Sequence, residues 1–129
     1  MTPENIKNTI KAALPQAEVI VCGLNADRQC CIGVYDSRTK PKRRVCIGGK
    51  RNTQYQSAGY TVLVHWTDNA VTAEDTARTV AALFDGISNI TMDGVPVVGC
   101  TVSPLRWEGR APNRVCEYSF DITIHFKEE

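Results

Sequence analysis

The residues of this sequence that could do chemistry are its cysteines and histidines. The cysteines are Cys22, Cys30, Cys31, Cys46, Cys100 and Cys116, and the histidines are His65 and His125. A thiol enzyme needs a thiolate beside an imidazole, and a structural zinc site usually takes ligands from Cys-x2-4-Cys pairs. Only Cys30 and Cys31 are close in sequence, and neighbours on a strand point to opposite faces. We therefore interpret the cysteines as small buried or strand-flanking thiols, and metal binding and redox chemistry are the less favoured alternatives.

Other catalytic patterns are not found in the sequence. Gly48-Gly49-Lys50 lacks the G-x4-G-K-[ST] spacing that cradles a phosphate. The carboxylates are scattered, and both histidines fall in predicted strands on the less apolar side, where they could be surface neighbours. We expect no enzymatic activity, no catalytic or metal-binding residue and no cofactor.

Length and charge indicate an ordinary globular chain. Its 129 residues carry a net charge of +1 and are most simply a single domain, residues 1–129. The sequence begins without a basic region followed by an apolar one, and no apolar run approaches the ~18 residues of a membrane span. We expect the protein to stay in the compartment where it is made and to bind no membrane.

Positive charge is concentrated in one segment without any acidic residue. Seven of the fifteen basic residues, called the basic segment here, are Arg38, Lys40, Lys42, Arg43, Arg44, Lys50 and Arg51. Pro41 and Gly48-Gly49 place them on loops around a short predicted strand, Val45–Ile47. Such a segment suits a protein interface, a solvated loop or phosphate binding, and no helix-turn-helix or aromatic stacking motif accompanies it.

The predicted elements alternate between helices and runs of strands. Thr2 and Pro3 mark the start of a first helix that Pro15 should end. Two β-prone segments follow, Val19–Cys22 and Cys30–Tyr35, as a hairpin or as neighbouring strands.

A predicted central strand, Gly59–Trp66, leads into a second helix. We expect Thr72 to cap that helix, with Asp75 three residues on, and Gly86 to stop it. Asp93-Gly94 predicts a tight turn before a strand, Pro96–Val102.

The last strand has the clearest pattern. One face holds Tyr118, Phe120, Ile122, Ile124 and Phe126, and the other holds Glu117, Ser119, Asp121, Thr123 and His125. Period-two alternation is typical of a half-buried antiparallel strand. The sequence therefore predicts an α+β fold, a mainly antiparallel sheet with two helices packed on one face.

Three segments resemble the small tail-terminator proteins of long-tailed bacteriophages, which are also called minor capsid proteins in prophages. They are the strand Tyr60–Trp66 with the helix after it, the turn and strand Met92–Gly99, and the loop Ser103–Gly109 with the strand Glu117–Phe126. That family typically carries a Gly-Arg-Asp-like run before the last strand, whereas Ala-Pro-Asn follows Arg110 here.

The resemblance implies a structural protein of the virion tail, made in the bacterial cytoplasm. Its copies would close into a hexameric ring that caps the tail tube and meets the head-completion proteins, and DNA could pass through without specific recognition. A ring needs two different, complementary surfaces on each subunit. We expect the basic segment to be one and Glu117 with Asp121 to be its acidic counterpart, while Trp107 is either an interface anchor or packed on its own sheet. The alternative function is a small nucleic-acid-binding module that uses the basic segment.

Overall fold

The computed structural model describes residues 2–23, 29–36 and 56–127. Within these residues the chain forms two helices and seven strands. In chain order they are α1 (Pro3–Ala13), β1 (Glu18–Val21), β2 (Cys31–Asp36), β3 (Gln56–His65), α2 (Ala70–Ala82), β4 (Ser88–Met92), β5 (Val95–Val102), β6 (Arg106–Arg110) and β7 (Cys116–Phe126). The basic segment and the predicted strand Val45–Ile47 lie outside the described residues.

The first helix forms where the sequence predicts it. The backbone N–H of Thr2 donates to Oδ1 of Asn5 at 2.8 Å, and Pro3 occupies the first turn, where its missing N–H costs no hydrogen bond. The helix ends at Ala13, before Pro15. Its apolar stripe, Ile6 and Ile10, is fully buried.

The second helix begins earlier than predicted. Asn69, not Thr72, is its N-cap, and the Asn69 side chain accepts hydrogen bonds from the backbone N–H groups of Val71 and Thr72 at 3.0 and 3.2 Å. An asparagine is at least as good a cap as a threonine, and the prediction of Thr72 overlooked Asn69. The helix ends at Ala82, and Gly86 follows with a left-handed φ of +72°.

The strands form one mostly antiparallel sheet in the order β1-β2-β3-β7-β5-β4, with β6 beside β7. The strand β3 lies between β2 and β7, which confirms its predicted central place. The hairpin alternative for the first two strands is wrong, because β1 and β2 run parallel. Asp93 and Gly94 form a two-residue turn with φ of 49° and 83°, as the sequence predicts for a tight hairpin.

The buried face of the sheet follows the predicted alternation. Tyr60 and Val62 on β3 lie opposite Ile122 and Phe120 on β7, and all four are buried. The buried residues of both helices join the same cluster. The α+β class is therefore confirmed. Because the sheet curls, and α1 contacts β1 and β2 whereas α2 contacts β3 and β7, the two helices are not clearly packed on one face.

The loop expected before the last strand contains a strand. Residues Arg106–Arg110 pair with the start of β7, and the register shifts between Trp107 and Gly109. The segment is mostly polar, and four of its five residues are exposed, so neither face carries the apolar pattern by which a strand is predicted. The segment is identified as a strand by its backbone pairing with β7.

Candidate interface surfaces and the polar face of the sheet

The structure places three of the predicted interface residues, Trp107, Glu117 and Asp121. Trp107 lies on β6, and the two carboxylates lie on the polar face of β7. The rest, which form the basic segment, lie outside the described residues.

Trp107 packs on its own sheet and is also exposed. Its ring meets that of Tyr118 edge to face, with centroids 5.1 Å apart and an interplanar angle of 67°. The two residues are directly paired between β6 and β7, yet Trp107 keeps 51% of its surface exposed. The neighbouring tyrosine thus holds a large aromatic side chain in place at the surface.

Asp121 is bound within its own chain. It accepts hydrogen bonds from Nη1 of Arg106 at 2.8 Å and from Oγ1 of Thr61 at 2.7 Å. The hydrogen bond from Arg106 is the main cause that holds the pKa of Asp121 below its usual value, and partial burial opposes it. The same bond raises the pKa of Arg106. The pair links β6 to β7 across the polar face.

Ser119 joins this network and is buried, although it lies on the polar face. Its hydroxyl donates to Oε1 of Glu108 and accepts from Nε of Arg106 at 3.2 Å. These two β6 side chains cover the serine, so that only 4% of the Ser119 surface is exposed. The sequence alone gives no sign of this cover, because β6 was not predicted.

Glu117 pairs with a histidine that has no exposed surface. The carboxylate Oε2 of Glu117 lies 3.1 Å from Nδ1 of His65, directly across the β3–β7 pair. The other ring nitrogen of His65, Nε2, is buried and has no hydrogen-bond partner among the residues that the structure describes. Both predicted acidic interface residues therefore have intramolecular partners.

A thiol, an imidazole and a carboxylate lie in one row across three strands. The register places Cys31 opposite His65, and His65 opposite Glu117. This order would suit a thiol nucleophile, a base and an orienting acid. Cys31 and His65 are both fully buried, however, so neither can reach a substrate from solvent in this conformation. Among the described residues no group of three or more acidic, cysteine or histidine side chains could hold a metal ion.

The two histidines are not neighbours. His125 lies opposite Ser57, eight residues along β3 from His65, a separation of about 26 Å at ~3.3 Å per residue. The Oγ atom of Ser57 lies 2.6 Å from Nδ1 of His125. The two histidines are therefore not the surface neighbours that the sequence allowed, and His65 has no exposed surface.

Shallow depressions open on the described surface. One, of about 370 Å³, lies beside α2 and is lined by Arg78, Ala81, Ala82, Asp85, Val102, Ser103, Pro104 and Leu105. Another, of about 300 Å³, lies between α1 and β4. The large apolar side chains exposed in the described ranges are Val71, Ile90 and Trp107.

Burial raises the pKa of the Cys100 thiol to about 12, with a smaller contribution from the charge of Asp85.

Comparison with known proteins leaves the family open. No protein-family model matches the chain, and no curated protein matches it. One solved structure is 13% identical in sequence, with a TM-score of 0.49, over 98% of this chain and 89% of the other. A likeness at that level does not establish a shared function. No helix in the described part of the chain is long and apolar enough to cross a membrane.

Proposed function

We propose that this protein is a structural subunit of a bacteriophage tail that assembles with its own copies. Six copies close into a ring, which caps the tail tube and presents a surface to the head-completion proteins. The protein acts without catalysis or a cofactor. It is made in the host cytoplasm and works in the virion.

The observation that carries this proposal is the exposed, fixed side chain of Trp107. Tryptophan is enriched among the residues that dominate binding energy at protein interfaces. Half of the Trp107 surface is exposed while its ring packs edge to face on Tyr118, and a side chain that is already packed loses less entropy on binding. An aromatic side chain held in this way suits an anchor for a neighbouring subunit.

The resemblance to tail terminators adds support from the same part of the molecule. Its three segments correspond to β3 with α2, β4 with β5, and β6 with β7, and these strands pair with one another in the sheet. The acidic surface expected to meet the basic segment has less support. Any such contact has to compete with Arg106 for Asp121 and with His65 for Glu117.

Mass in solution tests the proposal. Light scattering over a concentration series should give six times the 14.2 kDa of one chain. Trp107→Ala should shift the mass toward the single chain, and a Phe at the same position should retain part of the assembly. Circular dichroism of each variant checks that the fold is intact. A single-chain mass at every concentration up to about 1 mM, where only very weak contacts remain undetected, would refute the ring in solution.

Salt dependence separates this function from nucleic-acid binding. Phosphate binding through the basic segment would make log K fall steeply with log salt, whereas a mixed apolar and polar subunit contact should persist at moderate salt. Changing Arg43 and Arg44 to Glu should lower the mass if the basic segment lies in the subunit contact. An unchanged mass at several salt concentrations would remove that segment from the interface.

A further inference from the structure

The strand β4 lies at one edge of the sheet and exposes a single aliphatic side chain, Ile90. Among the strands that the structure describes it pairs only with β5, four of its five residues are exposed, and it carries no charged side chain. Edge strands of natural proteins are usually protected from pairing by charges or proline. Ile90, at the middle of β4, is 43% exposed. This edge leaves an aliphatic side chain available for contact.

A free cation lies beside Ile90. Lys127 and Ile90 line the same small depression, of about 230 Å³. The Lys127 backbone N–H donates to the carbonyl of Pro96 at 2.9 Å, which fixes the chain there after β7. Within the described residues the Lys127 ammonium forms no ion pair. We call Ile90 and Lys127 the β4 surface.

The depression beside α2 is also lined by apolar side chains, but it carries a carboxylate where the β4 surface carries a cation. Ala81, Ala82, Val102 and Leu105 give it apolar walls, and Asp85 adds a carboxylate. Asp85 is exposed and has no ion pair with any residue that the structure describes. Arg78, the cation on the same rim, is already engaged by Glu74 at 2.7 Å. The carboxylate of Asp85 is therefore available to a cation from outside the chain.

The two surfaces are lined by different residues of the chain. Ile90 pairs with Val97 near one end of β5, while the depression begins at Val102. Five residues of strand separate these positions by about 17 Å. Ile90 and Lys127 are not among the residues that line the α2 depression of their own chain, so a second copy has to supply them there.

We propose that the β4 surface of one copy docks in the α2 depression of the next. Ile90 enters between the apolar walls, and Lys127 pairs with Asp85. The contact joins two different surfaces of the subunit. A chain of such contacts therefore leaves one β4 surface and one α2 depression unoccupied at its ends until a ring closes. This inference rests on the proposed self-assembly and adds which surfaces meet. The β4 surface of a second copy suits the depression because its aliphatic group and its cation match the apolar walls and the carboxylate there.

Charge reversal tests the pairing. Asp85→Lys alone and Lys127→Glu alone should each weaken self-association by about tenfold, because each places like charges opposite each other. The double variant Asp85→Lys/Lys127→Glu should regain most of the wild-type association. Ile90→Asp should abolish it, and Val71→Asp, a matched change at an exposed apolar residue outside both surfaces, should have little effect. Sedimentation velocity gives the association, and circular dichroism confirms the fold of each variant.

A photo-reactive amino acid at position 90 tests the geometry directly. On irradiation it should join to a peptide that contains Ala81–Asp85 or Val102–Leu105 of another copy, identified by mass spectrometry. If the wild-type chain assembles while Ile90→Asp and both charge reversals leave the association unchanged, or the cross-link falls elsewhere, this contact is wrong and the ring stands. If the wild-type chain never self-associates, both proposals fail.

Discussion

His65 and Glu117 form a cross-strand pair in which one partner is buried and the other reaches solvent. Their atoms Nδ1 and Oε2 lie 3.1 Å apart, with side-chain exposures of 0% and 19%. A carboxylate can only accept, so Nδ1 carries the proton that it donates, while Nε2 has no partner in the described part of the chain. Burial of a ring with one unsatisfied nitrogen is costly, which makes the remaining bond to Glu117 important for stability.

Replacing Glu117 by Ala should therefore destabilise the protein. It leaves Nδ1 of His65 buried without an acceptor, which should lower the free energy of unfolding by ~1 to 3 kcal/mol. Urea denaturation measures the change. Glu74→Ala is the matched control, because Glu74 pairs with Arg78 on an exposed helix face, where such pairs contribute about 0.3 to 0.5 kcal/mol. Equal losses from both variants would mean that burial adds nothing to the His65 bond.

Phe120 should be among the most sensitive core positions. It is fully buried opposite Val62, and truncation of a buried phenylalanine to alanine leaves a cavity that costs ~3 to 5 kcal/mol. Thr123→Ala, on the other face of the same strand, should change the unfolding free energy by less than about 0.5 kcal/mol. A Phe120→Ala loss under 1 kcal/mol would contradict the assigned core face.

The start of α2 can be tested by two single substitutions. Asn69→Ala removes the acceptor for the N–H groups of Val71 and Thr72 and should lower stability by ~1 kcal/mol. Thr72→Ala removes no cap and should be neutral within a few tenths of a kcal/mol. The reverse ranking in thermal or urea unfolding would restore the cap at Thr72.

Asp121 should make the protein sensitive to acid. Its folded-state pKa lies below the unfolded one because Arg106 donates to it. A carboxyl of this kind contributes stability that is fully present above its unfolded pKa of about 3.9 and is lost as the pH falls through the folded value. Asp121→Asn should therefore be less stable than wild type at pH 7, and the difference should shrink below about pH 4.

Urea unfolding at pH 7 and pH 3 measures the effect of Asp121→Asn. Asp75→Asn, at an exposed position of α2, is the control and should show almost no difference at either pH. A gap between Asp121→Asn and wild type that stays constant from pH 7 to pH 3 would show that the Arg106 bond does not depend on the carboxylate charge.

Cysteine reactivity should follow burial. The pKa of Cys100 is raised to about 12, mainly by burial, so its thiol stays protonated near pH 8, and only a thiolate reacts readily. Cys22 is exposed. Brief alkylation at pH 8 followed by mass spectrometry should label Cys22 at least about tenfold faster than Cys100. In urea the two rates should converge, and a native Cys100 as reactive as Cys22 would contradict its burial.

The sequence by itself determined the local elements. Pro3 and Pro15 bound α1 because proline is accepted in a first helical turn and disfavours helix in the residue before it. The turn at Asp93-Gly94 follows from the ease with which these residues adopt positive φ. The alternation along β7 predicts its buried face, because successive side chains of a strand must point to opposite sides. Each of these inferences depends on residues within a few positions of one another.

Only the tertiary structure decided which distant residues meet. The parallel pairing of β1 with β2, the existence of β6 and the row from Cys31 through His65 to Glu117 depend on strand order and register. The same is true of the separation between the β4 surface and the α2 depression. Register is set by the burial of whole strand faces against the helices, a sum over many side chains far apart in sequence, and no local pattern of residues contains it.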